Sequence, residues 1–66
     1  MKIQLNGEVR EVPQGLTVAS LLEFLKLSAD RLAVERNLEI VSRRLWSETP
    51  IEAGDRLEVV HFVGGG

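Results

Sequence analysis

One histidine, His61, and no cysteine bound the chemistry this chain can do by itself. Without cysteine there is no thiolate to attack a substrate or ligate a metal, and no disulfide. A Ser–His–acid arrangement would need His61 oriented beside a serine, and Ser20, Ser28, Ser42 and Ser47 stand in no such motif. A metal centre needs several converging ligands; a single histidine among scattered carboxylates does not make one. His61 reads as a strand residue at the rim of a sheet. The glycines Gly64, Gly65 and Gly66 are not a phosphate-cradling loop either, because such loops open a helix and no helix follows here. What is left is the carboxylate of Gly66, at the tip of a tail without side chains. A glycine run of this kind is often only a loose end or a linker. Here no polar spacer separates Phe62-Val63 from Gly64, and nothing tag-like follows. The expectation is that the Gly66 carboxylate is the working group, carried on the thin, conformationally free tail of Gly64 and Gly65.

The strand before the tail, Arg56–Val63, has to position it. Leu57 and Val59 fall on one side of that strand and should face a helix, while Glu58, Val60 and Phe62 fall on the other. Val60 and Phe62 are apolar on a face that should otherwise be polar. They suggest a surface on which a partner docks, with Ala33 on a neighbouring strand as a further member.

The other elements follow from periodicity. Met1, Ile3 and Leu5 alternate with polar residues, as in a half-buried strand, and Asn6-Gly7 is a hairpin signal because a type I′ turn needs two positive φ values. Glu8–Val12 returns as a second strand with Val12 inward, and Pro13-Gln14-Gly15 turns the chain. Thr17 should cap a helix over Val18–Lys26, whose Val18, Leu21, Leu22 and Leu25 form one apolar stripe. Leu27 should also tuck inward, and Ser28–Arg31 is a polar connection. Leu32–Arg36 reads as a strand with Leu32 and Val34 inward. Asn37-Leu38 reads as a turn, although leucine is poorly suited to positive φ. Glu39–Val41 is a short extended piece, Ser42–Trp46 fits no regular pattern, and Trp46 should cover one end of the core. Pro50 and Ala53-Gly54-Asp55 precede the last strand. This order predicts an α+β domain over 1–66, with one helix across one face of a mixed sheet of four to five strands. The first and last strands should lie parallel at its centre.

Eight Lys+Arg against ten Asp+Glu give a net charge of −2, which offers no basic footprint for nucleic acid. No continuous apolar run suggests a signal peptide or membrane span, so the cytoplasm is the expected compartment.

Over essentially its whole length the chain resembles the ThiS family of sulfur carriers in thiamine biosynthesis. The residues that carry the resemblance are Leu5-Asn6-Gly7, Gly15-Leu16-Thr17-Val18 before Leu21-Leu22, Val34-Glu35-Arg36-Asn37, Glu39-Ile40-Val41, Trp46, Ala53-Gly54-Asp55-Arg56-Leu57 and Gly65-Gly66. Leu38 and Ser42 depart from the pattern, where a glycine or polar turn residue and a proline are expected. The resemblance implies a ubiquitin-like β-grasp fold. It implies that an adenylating enzyme of the ubiquitin-activating kind (ThiF type), itself using ATP and magnesium, converts the Gly66 carboxylate to an acyl-adenylate. A persulfide sulfur donor then displaces AMP to leave a thiocarboxylate, and thiazole synthase (ThiG type) accepts the sulfur. On this reading the chain binds no cofactor itself and is not an enzyme. Rival readings are a sulfur carrier for molybdopterin or another sulfur-containing metabolite, a plain interaction module, and a ubiquitin-like modifier of lysines.

Overall fold

The computed structural model describes residues 1–28 and 30–62. Strands β1 (Lys2–Leu5) and β2 (Glu8–Glu11) form the expected hairpin, with Asn6 and Gly7 at φ 50° and 84°. Helix α1 (Val18–Phe24) follows, then β3 (Leu32–Arg36), β4 (Glu39–Ile40), a 3-10 segment (Arg43–Glu48) and β5 (Arg56–His61). The strands make one five-stranded sheet in the order β2-β1-β5-β3-β4. β5 lies parallel to β1 and antiparallel to β3, so the last strand occupies the centre. The parallel pair is possible because the intervening chain, with α1, crosses one face of the sheet.

That face holds the core. Ile3 and Leu57 from the central strands, Leu32 and Val34 from β3, and Val18, Leu21 and Leu22 from α1 are all buried, together with Val12, Trp46 and Ile51. The helix begins where the sequence says it should. Thr17 Oγ1 accepts from the Ser20 amide (3.2 Å) and Ser20 Oγ accepts from the Thr17 amide (2.8 Å), so each satisfies a donor that a helix start leaves free. A strap holds this end down, with the Val18 amide donating to Thr49 O and the Ile51 amide to Leu16 O.

The helix ends earlier than its apolar stripe suggests. Lys26 takes φ 60°, its amide donates to Glu23 O, and the Leu27 amide donates to Leu22 O. This is a Schellman ending, a geometry usually marked by glycine and here adopted by lysine. The turn carries Leu27 out of the core to 40% exposure, against the expectation that it packs inward. The unassigned stretch is the 3-10 segment, which buries Trp46. The indole Nε1 donates to Val41 O at 2.9 Å, and the Arg43 guanidinium lies 5.4 Å from the ring centre. Ser42 stands at φ −60°, ψ 139°, a region in which a proline ring would also fit, so the segment starts without needing one.

Asn37 and Leu38 both take positive φ, 53° and 73°. The exposed Leu38 side chain gains no packing for that strain. A buried carboxylate holds the turn. Asp55 Oδ2 accepts from Arg36 Nε (2.7 Å) and from the Glu52 amide (2.8 Å), and Oδ1 accepts from Asn37 Nδ2 (3.1 Å). Asn37 Oδ1 in turn accepts from the Arg56 amide (2.9 Å). The β3–β4 turn and the entrance to β5 are thereby one hydrogen-bonded unit. Burial pushes the Asp55 carboxyl up. The hydrogen bonds from the Glu52 amide, Arg36 and Asn37, with the Arg36 charge, outweigh it and hold the group below the usual carboxylate range.

Candidate functional site

Of the residues singled out in the sequence, Glu58, Val60, Phe62 and Ala33 lie on the sheet face opposite the core. Along β5, Leu57 is buried and Val59 packs partly against the core, while Glu58 and Val60 point the other way. Phe62 continues the alternation just past the strand, its amide donating to Arg31 O at 2.9 Å. Strand β5 is assigned only as far as His61, one residue short of Phe62. Val63, expected as the last strand residue, and Gly64, Gly65 and Gly66 lie outside the described residues. His61 is exposed and ends β5, in keeping with a rim residue.

Register brings the remaining members together. Ala33 stands directly opposite Val60 and Glu35 directly opposite Glu58, and Ile40 of β4 stands opposite Glu35. Directly opposed residues share a face, so Ile40, Glu35, Ala33, Glu58, Val60 and Phe62 form one outward patch over β4, β3 and β5. Val60 and Phe62 are 59% and 52% exposed, and Ile40 is 77% exposed. Ala33 is half-buried. The sequence points to Glu58, Val60, Phe62 and Ala33, but not to Ile40 or Glu35. For Ile40 the missing signal is the β3–β4 register, which a two-residue strand does not disclose; Glu35 shares the face of Ala33 by alternation, and its place opposite Glu58 is set by the β3–β5 register. Among the described residues neither Glu35 nor Glu58 enters an ion pair. Two carboxylates facing each other across a ladder oppose folding slightly. The patch is therefore apolar with an acidic centre.

Among the described residues no group of three or more His, Cys, Asp or Glu could hold a metal ion, and no helix is long and apolar enough to cross a membrane. One shallow cleft of about 220 Å³ is lined by Asn37, Leu38, Gly54 and Arg56. It lies at the start of β5, at the other end of the strand from Phe62. What the described surface presents is an apolar patch with an acidic centre over β4, β3 and β5.

Known proteins match this chain over nearly its whole length. A crystal structure of the thiamine biosynthesis protein ThiS from Geobacter metallireducens superposes with a TM-score of 0.89 at 35% identity, and both chains are covered in full. The sulfur carrier protein ThiS of Bacillus subtilis is 38% identical over 65 residues, covering 97% of this chain and 98% of that one. A thiazole synthase from Paramagnetospirillum magneticum is 44% identical over 66 residues, which is 100% of this chain and 20% of that protein. This chain thus spans about one-fifth of the length of that relative, and the same share of the thiazole synthase of Magnetococcus marinus. The family model described as ThiS family matches residues 3–66. The β-grasp architecture and these matches agree, and the chain belongs to the ThiS family.

Proposed function

We propose that this chain is a sulfur carrier for thiamine biosynthesis and that its reactive group is the carboxylate of Gly66. The observation that carries the reading is the family match over residues 3–66, which runs through the outward patch and the glycines together. A carboxylate is a poor electrophile. Transfer of AMP from ATP to it, with loss of pyrophosphate, supplies the leaving group. The terminal sulfur of a persulfide then attacks the acyl carbon and expels AMP, and a thiol cleaves the resulting S–S bond to leave the thiocarboxylate. ATP and magnesium belong to the adenylating partner (ThiF type), and the acceptor is thiazole synthase (ThiG type). The chain is itself not a catalyst.

Each part of the molecule has a task in this scheme. Val60, Phe62, Ala33 and Glu58 dock on the adenylating enzyme. Gly64 and Gly65 thread its channel, where a Cβ would meet the wall. The relatives named thiazole synthase support that acceptor, since in them a segment like this one is part of the same protein. The decisive measurement is the intact mass of the protein after incubation with ATP, a persulfide donor and the adenylating enzyme. The expected gain is the difference between one sulfur and one oxygen atom, lost again on adding the acceptor. An unchanged mass in a mixture that modifies a proven carrier would refute the reading.

A further inference from the structure

The side chain of Asn6 completes the sheet where β1 gives out. On the β1 side of β5 the ladder runs from Gln4, whose amide donates to Asp55 O (2.9 Å), to Asn6, whose amide donates to Leu57 O (2.9 Å). The chain then turns away through Gly7 into β2, and the next pair of β5 backbone groups on that side belongs to Val59. Asn6 takes both. Its Oδ1 accepts from the Val59 amide at 2.8 Å and its Nδ2 donates to Val59 O at 3.1 Å. A carboxamide carries one acceptor and a donor side by side, so it can stand in for the peptide unit that a longer β1 would have supplied. Across the strand, the Phe62 amide donates to Arg31 O. These two attachments, on opposite sides of the strand, hold the end of β5 in place.

We propose that Asn6 is a positioning residue for transfer chemistry at the C-terminus: its carboxamide clamp on Val59 aims the strand that delivers Gly66 to the adenylating enzyme. The role rests on the function proposed above. It is separable from the hairpin, where Asn6 is suited to φ 50° for another reason, the tolerance of asparagine for the left-handed region. Glycine tolerates that region at least as well and carries no carboxamide. Asn6→Gly therefore keeps the turn and removes the clamp. Asn6→Asp also keeps the turn, but sets a carboxylate oxygen against Val59 O in place of the donor.

The test measures two things on the full chain. In the free protein, hydrogen exchange at the Val59 amide should speed up in Asn6→Gly, while amides of the β1–β2 ladder keep their protection. With the adenylating enzyme, ATP–pyrophosphate exchange should show kcat lowered on the order of tenfold in both variants, with KM for the carrier changed less than about threefold, because aim rather than docking is lost. Should Asn6→Gly fail to fold, Asn6→Asp decides. Unchanged kcat in the folded variants, or Val59 exchange at the wild-type rate in Asn6→Gly, overturns the clamp while leaving the carrier function standing. Absence of exchange with the wild-type chain, under conditions that adenylate a proven carrier, would instead remove the carrier function and this role with it.

Discussion

Replacing Asp55 by alanine should cost about 3 kcal/mol of folding stability, near the lower end of the range for a broken buried pair. Asp55 is 6% exposed and takes three hydrogen bonds, two from Arg36 Nε and the Glu52 amide and one from Asn37 Nδ2. Losing an acceptor costs about 1–3 kcal/mol for each donor left buried. The full sum does not apply, because the Arg36 side chain is 25% exposed, can turn to water, and keeps Glu52 at 3.6 Å. A domain of this size has a total stability of about 3–10 kcal/mol. The loss is therefore visible in urea, as a midpoint lowered by about 3 M if m is near 1 kcal/mol/M. The substitution Asp55→Asn is the sharper probe of charge, since it keeps the shape but turns an amide toward the same donors. The sign with pH follows from the depressed pKa in the folded state. Stability from the ionised carboxylate is complete above the unfolded value of about 3.9 and is lost as pH falls through the folded one. The gap between wild type and Asp55→Asn should thus narrow below about pH 4. A cost under about 1 kcal/mol for Asp55→Ala, or a gap as wide at pH 3 as at pH 7, would refute the reasoning.

Leu38→Gly should raise stability by about 0.5–1 kcal/mol in the same urea assay, since it relieves a leucine at φ 73° with no buried contact to lose. Phe62→Asp should leave the fold intact, because the ring is half exposed, and weaken the adenylating enzyme's affinity by at least about tenfold. Calorimetric titration reads the affinity, and unaltered binding by the folded variant would remove Phe62 from the docking face. Gly65→Ala should keep the fold and sharply reduce ATP–pyrophosphate exchange. Exchange at the wild-type rate would end the argument for a channel that admits only glycine.

The sequence alone determined the features that depend on neighbours along the chain. The Thr17 cap, the Val18–Leu21–Leu22 stripe, the Asn6-Gly7 turn and the alternation along β5 are local periodicities and local backbone preferences, and each lies where it was expected. The long connection through one helix makes it possible for the first and last strands to lie side by side and parallel, as β1 and β5 do; the full strand order is not in the local pattern. Tertiary structure decided what pairing and burial control. No periodicity tells that the carboxylate of Asp55 is buried and ties the β3–β4 turn to β5, since its partners Arg36 and Asn37 are 19 and 18 positions away. The Glu35–Glu58 opposition and the entry of Ile40 into the outward patch depend on inter-strand register. The bond from Asn6 to Val59 joins residues 53 apart and exists only because β1 and β5 lie side by side. Lys26 and Leu38 take left-handed conformations that their residue types do not announce, because the ends of the elements they join must meet there. A local pattern fixes which way a side chain faces along its own strand or helix; only the folded chain fixes what it faces.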